Sequence, residues 1–294
     1  MTPMRVERRG DLLALSSAVL FGISGTVAAD AFSSFDPMQI AQFRSTVAAL
    51  LLGGLAYRRR QTSTGGRLPS LLLLGAFLAS VTICFYWAIE RLGVGPGVTI
   101  QFLGPILVLF WMRYAQHRSV PPSAWAAASI ALAGTALITR AWALEDLDLV
   151  GVVAALGAAA SFAGYLVVGE YLGRRLPGLA VGAYGFAFSA VVLLVTAPVV
   201  VPSGDLVGWS QLWWIALGGT VVPFMMSLTA LRTADPGRVG VLQSLEPAVG
   251  AGSAWLVLGQ ALSAAQVTGA VAVVAAVAAV QYLTSNIAPD LPPV

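Results

Sequence analysis

Gln101-Phe102-Leu103-Gly104-Pro105 and Gln243-Ser244-Leu245-Glu246-Pro247 each place a side-chain amide four residues before a proline. The glutamines are 142 positions apart, and so are the prolines. Each motif lies near the middle of a long apolar run. A proline inside a helix lacks an N–H and clashes with the carbonyl four residues earlier, here that of Gln101 or Gln243. Each motif therefore offers a loosened backbone carbonyl beside an amide, at a depth that excludes water. Such groups suit a molecule with both donors and acceptors, such as a zwitterion. The same residues also fit a pair of kinks whose glutamines bond between helices, and both readings stand at this point.

Glu246 is the deepest acid in the chain. An ionisable group at such depth is costly and by default functional. It can bind an ammonium, carry a proton, or pair with Arg44 or a hydroxyl as a packing residue. Arg44 lies well inside its own apolar run, where it can attract a carboxylate or snorkel outward. Tyr86 shares a helical face with Ala79, Ile83 and Glu90 and is a candidate cavity wall. Phe21 and Ser24 in the first run and Tyr165 in the sixth are comparable. The candidate binding set is therefore Gln101, Gln243, Tyr86, Phe21, Ser24, Tyr165 and Glu246. Arg44, Pro105, Pro223 and Pro247 are candidate structural or gating residues. Asp30, Asp36 and Glu170 mark run ends and are expected to be solvated.

Other chemistry is poorly served. One cysteine (Cys84) and one histidine (His117) cannot build a metal cluster. All 16 basic residues are arginine, so the lysine of a GxxxxGK[ST] phosphate loop is missing. Neither a cofactor nor a metal is expected, and no catalytic constellation is visible.

The elements that must position these residues fill the chain. Ten apolar spans are expected near 11–32, 37–57, 68–90, 94–113, 121–140, 149–172, 177–200, 207–231, 236–258 and 262–283. A bilayer needs about 20 helical residues per crossing. The chain is 58% hydrophobic and 10% charged, against about 25% charged in soluble domains, and its mean hydropathy is +0.84. The fold expected is an all-α integral membrane protein. With the N-terminus in the cytoplasm, thirteen arginines fall inside and two, Arg91 and Arg140, outside. That bias places both termini in the cytoplasm. The basic charge therefore follows topology and does not point to nucleic acid. All eight Trp fall near span ends, where aromatic side chains settle at the interface with membrane lipid.

The chain repeats itself. Pro37 and Pro177 open spans 140 residues apart, and Pro96-Gly97 and Pro236-Gly237 share that offset. The seam is the acidic loop Glu145-Asp146-Leu147-Asp148, which divides the chain into 1–144 and 145–294. Each half holds five helices, an odd number, so the second copy must be inverted. Inverted repeats mark secondary transporters, whose site lies at the midplane between the halves. Gly151, Ala155, Ala159 and Ala163 form a small-residue stripe, which lets helices approach closely.

Ten helices in two such repeats resemble the drug/metabolite transporter superfamily, its EamA-type branch. Gln42-Phe43-Arg44, Leu245-Glu246-Pro247, and Gly93-Val94-Gly95-Pro96-Gly97 followed by Phe102-Leu103-Gly104-Pro105 carry the resemblance. The last of these is similar to bacterial amino-acid exporters of the aromatic and threonine/homoserine kinds. The resemblance implies an inner-membrane exporter working by alternating access, with Arg44 and Glu246-Pro247 at motif positions and a cavity between the repeats. Small multidrug pumps of the superfamily hold an essential acid within helix one, whereas here Asp11 and Asp30 sit only at its ends. That departure argues against cationic drug efflux. Amino acids are the expected substrates, with another metabolite or drug (a purine, sugar or lipophilic amine) as the alternative. A membrane receptor or scaffold is the reading from another class. A monomer suffices for the cavity, and proton-coupled and facilitated export both remain open.

Overall fold

The computed structural model describes residues 3–92, 94–142, 148–196, 206–259 and 261–286. The expected seam at 145–147, the loop at 202–205 and Gly93 lie outside them. The described residues form helices and no strand. The first three spans are α1 (Pro3–Ala31), α2 (Pro37–Arg58) and α3 (Leu68–Leu92). The fourth comprises α4 (Val94–Gln101), α5 (Gly104–Phe110) and a π-turn at Trp111–Ala115, and the fifth is α6 (Pro122–Thr139). The sixth and seventh are α7 (Leu149–Gly173) and α8 (Gly178–Leu193). The eighth runs as α9 (Leu206–Ala216), a π-turn at Leu217–Val221 and α10 (Val222–Ala230). The ninth is α11 (Pro236–Gln243) plus α12 (Glu246–Leu258), and the tenth is α13 (Ala264–Asn286). Seven segments of 18–25 residues have the length and composition to cross a membrane; α8 is shorter and ends before the expected limit at 200.

Local chemistry explains the boundaries. Asp36 caps α2 by accepting from the N–H groups of Met38 and Gln39, and Pro37 supplies a fixed φ at the first position. Asp148 caps α7 in the same way. Asp148 also accepts from Arg91 at 3.0 Å, which ties the ends of α3 and α7 and holds its carboxyl below the usual range. The mid-span prolines act as expected. The helix breaks just after Gln101 and just after Gln243, and the eighth span widens to a π-turn immediately before Pro223. Single-turn π segments accommodate a kink without freeing the whole ladder.

Packing follows an inverted twofold. The third span packs on the sixth as the eighth packs on the first, and the fourth packs on the sixth as the ninth packs on the first. The second with the seventh, and the fifth with the tenth, are self-paired across the axis. Small residues permit these approaches. A Cβ on Gly134 would fall 2.7 Å from the Gly269 carbonyl, and one on Gly269 would fall 2.5 Å from that of Gly134. The stripe on α7 serves the same end: Ala155 and Ala159 are fully buried, and a Cβ on Gly151 would come 2.8 Å from Leu92.

The two ends of the bundle differ. At the end that carries both termini, α11 is buried almost throughout and lies along α5. Gly237 meets Leu109 and Met112 there, and Gly240 meets Pro105. At the far end α12 has no fully buried residue among those described, and most of α4 is only half-buried. The bundle is thus closely packed at the termini end and looser at the other.

The reciprocal Gly134–Gly269 crossing yields a test. Gly134→Leu or Gly269→Val must push α6 from α13 and should destabilise the fold by about 1–3 kcal/mol, the usual penalty of overpacking. A lowered unfolding midpoint in detergent checks this.

Candidate functional site

Gln243 ends α11 and is 2% exposed. Its Nε2 donates to Ser227 Oγ at 3.0 Å and to Ser17 Oγ at 3.4 Å. The Tyr165 hydroxyl donates to the same Ser227 oxygen at 2.5 Å, and Ser17 donates to the Pro223 carbonyl at 2.9 Å. One buried network therefore joins α1, α7, α10 and α11 where the eighth and ninth spans deviate from regular helix. The helix breaks create the need for it, because a buried polar group left unpaired costs about 1–3 kcal/mol. Even so, Gln243 Oε1 has no partner, and neither does Gln101 Oε1. Both motif glutamines thus carry an unused acceptor.

Aromatic rings link the two motifs. Phe224, next to Pro223, meets Phe21 at 5.7 Å, Tyr165 at 5.0 Å and Phe186 at 4.9 Å between centroids. Tyr165 stacks on Phe162 at 6.3 Å, and Phe162 meets Phe102 at 6.0 Å. The rings run along α7 from the break beside Gln101 to the network around Gln243. Among the described residues no hydrogen bond joins the two glutamines directly. The sequence does not single out Ser17, Ser227 or Phe224. Pro223 was the available signal, since its neighbours one and four positions on carry the network.

A second group lies toward the far end. Arg44 is half-buried; its Nη2 donates to Thr82 Oγ1 at 3.1 Å, and its Nε has no partner. The guanidinium is near enough to act electrostatically on Glu246 and Tyr86, but it forms no ion pair with Glu246 within 4 Å among the described residues. Glu246 opens α12, and its backbone carbonyl lies against Gly22 of α1, where a Cβ would come within 2.7 Å. Tyr86 meets Phe32 edge-on at 6.0 Å and packs near Ile83 and Met38. Ser24 is buried against the π-turn, where a Cβ on Gly219 would overlap its hydroxyl; its surroundings are those of a helix contact. Gln42 is fully buried, donates to Thr46 at 3.1 Å and keeps an unpartnered Oε1. Pro105 packs beneath Gly240.

With this geometry in place, the sequence model of the EamA-like transporter family matches twice, over residues 8–140 and 149–282. The chain belongs to the EamA-like transporter family. Over 219 residues it is 30% identical to the threonine/homoserine exporter RhtA of Escherichia coli and to that of Salmonella typhimurium, covering 71% of this chain and 70% of theirs. It is 22% identical to the pseudopaline exporter CntI of Pseudomonas aeruginosa over 275 residues, 92% of this chain and 94% of that one. A crystal structure with 17% identity superposes with a TM-score of 0.78, covering 95% of this chain and 99% of its own, and shows the shared fold. The protein is a multi-pass membrane transporter.

For a transporter the closure of the termini end matters. Asp11 on α1 and Arg238 on α11 form an ion pair, with side chains 7% and 15% exposed. Arg118, following the fourth span, bridges Glu170 at 2.9 Å and Asp235 at 3.3 Å, and Arg174 reaches Glu170 at 2.9 Å. Both clusters cross from the first five helices to the second five. Glu170, expected to be solvated, is instead 3% exposed. The Arg118 loop folds over it, and two guanidinium groups repay its desolvation.

Asp11→Asn should leave Arg238 buried beside a neutral partner and weaken the closed end by up to about 3–5 kcal/mol. Labelling of a cysteine placed at Val239 should rise in that variant. The charge-swapped pair Asp11→Arg with Arg238→Asp should restore protection.

Proposed function

We propose that this transporter exports amino acids from the cytoplasm, by alternating access through a central cavity between two five-helix repeats, 1–144 and 145–294. The observation that carries this reading is a set of side-chain polar groups left without partners on spans of both repeats. Arg44 Nε, Gln101 Oε1 and Gln243 Oε1 have no partners, and Glu246 has no ion-pair partner among the described residues. A guanidinium suits a carboxylate, and amide oxygens with a carboxylate suit an ammonium. An α-amino acid presents both ends at once. Both named relatives are exporters, one of threonine and homoserine, which supports the same reading. Phe21, Tyr86 and Tyr165 would then limit the side chain accepted.

The arginine bias puts the closed, termini-bearing end in the cytoplasm of a bacterial inner membrane, so the conformation described faces outward. One chain supplies both repeats, so a monomer suffices. A second reading, export of another small metabolite or drug, is favoured by the match to the pseudopaline exporter, which extends over 92% of this chain. Glu246 acts here as a binding group, with facilitated export down the outward gradient.

Counterflow in vesicles with a panel of common amino acids tests the substrate class; exchange of metabolites alone, with no amino acid accepted, refutes it. Gln101→Leu and Gln243→Leu should each slow transport about 5- to 100-fold while the protein still folds, since each loses a contact worth about 1–3 kcal/mol. Parental rates in both variants would remove the glutamines from the site. Glu246→Gln should weaken exchange itself; loss of proton-driven accumulation with exchange intact would make Glu246 a proton carrier instead.

A cysteine at position 63 or 119 should be inaccessible to an impermeant reagent outside intact cells once Cys84 is removed.

A further inference from the structure

A groove of about 390 Å³ opens between α1, α2, α8 and the eighth span, in the half of the bundle nearer the termini. Its walls are mostly apolar, formed by Leu13, Leu52, Leu55, Leu179 and Met225, and Thr229 and Arg9 are the polar residues that line it. Leu55 is 43% exposed and Arg9 is exposed, so the groove, built at the outer seam of the two repeats, opens toward the surroundings of the bundle. A groove at this depth is bathed in hydrocarbon, and lipid chains are what fill it. The charge at its mouth selects the headgroup. Arg9 has no ion-pair partner among the described residues, while neighbouring carboxylates are already committed, Asp11 to Arg238 and Glu170 to Arg118 and Arg174. Arg58, the last residue of α2, follows Leu55 by three residues and so shares its helical face; it and the capping Arg59 are exposed. A basic pocket between transmembrane helices at the membrane surface suits an anionic phosphate headgroup. A zwitterionic lipid would bring its own ammonium among these guanidinium groups.

We infer that this groove is a binding site for an anionic phospholipid of the leaflet on the termini side, with one acyl chain against Leu52, Leu179 and Met225 and the phosphate on Arg9. The site spans both repeats, α1 and α2 from one and α8 and α10 from the other. Val221, the last residue of the π-turn before Pro223, also lines it, so the lipid packs on the bend of the eighth span. The inference does not depend on what the protein carries.

The test uses the full-length protein, delipidated in detergent and titrated with phosphatidylglycerol or phosphatidylcholine, with bound lipid counted by native mass spectrometry. The parent should retain phosphatidylglycerol in preference to phosphatidylcholine. Arg9→Gln should weaken that retention about fivefold, corresponding to about 1 kcal/mol for one arginine at a headgroup. Arg9→Lys should keep most of it. Leu179→Trp, which fills the groove without touching charge, should abolish it, and Arg113→Gln, also near the termini end, should change nothing. Equal retention of the two lipids by the parent overturns the inference. So does an Arg113→Gln effect as large as that of Arg9→Gln, or parental binding in Leu179→Trp.

Discussion

Inside hydrocarbon a backbone amide has no water to fall back on, so a broken helix survives only where protein encloses the break. That constraint organises this transporter. The fourth and ninth spans are interrupted at matching places, and the eighth is loosened beside Pro223. All three lie against α7 or α1. Hydroxyls from those helices and the eighth span, Ser17, Ser227 and Tyr165, meet the polar groups at the breaks. The network pairs the Gln243 amide and the Pro223 carbonyl, while the Gln101 oxygen has no partner. Among the groups that stay unmet, Gln101 Oε1, Gln243 Oε1 and Arg44 Nε are those that the proposed substrate would use.

The asymmetry between the ends follows from charge as much as from packing. At the termini end, glycines let α11 press on α5, and two ion-pair clusters cross between the repeats. Such pairs are costly to break one member at a time and cheap to exchange for water together. That behaviour suits a contact that must form and release as a unit. The far end has aromatic contacts such as Phe32 with Tyr86 and Phe43 with Trp213, which yield in smaller steps.

Much of this was readable from the residues. Span positions came from apolar length, the repeat from the shared 140-residue offset of paired prolines, and the breaks from Pro105 and Pro247. Each of those signals is local along the chain. What sequence did not reveal depends on how helices cross. Glu170 resembles a solvated helix end until the Arg118 loop is seen over it. Ser17, Ser227 and Phe224 are ordinary residues of apolar helices until the packing of α1 and α10 brings them to Gln243 and Tyr165. Ser24 has the look of a cavity hydroxyl, yet Gly219 on the opposing π-turn, which no periodicity announces, receives it.

The two motifs also show how a symmetric scaffold can hold an asymmetric site. Position four of the first motif is Gly104, and of the second, Glu246. A Cβ on Gly104 would fall 2.6 Å from the Phe162 ring and 3.2 Å from the Ala159 carbonyl, so the first copy has no room for a side chain there. In the second copy the small residue is on the other helix: Gly22 of α1 lies against the Glu246 backbone, and the carboxylate is accommodated. Close packing is thus conserved in kind while the glycine that permits it moves from one partner to the other. Duplication alone would make the two motifs equivalent. Exchanging which partner is small leaves one neutral and the other acidic, near Arg44. In the site proposed between the repeats, a molecule with unlike ends would then have one preferred orientation.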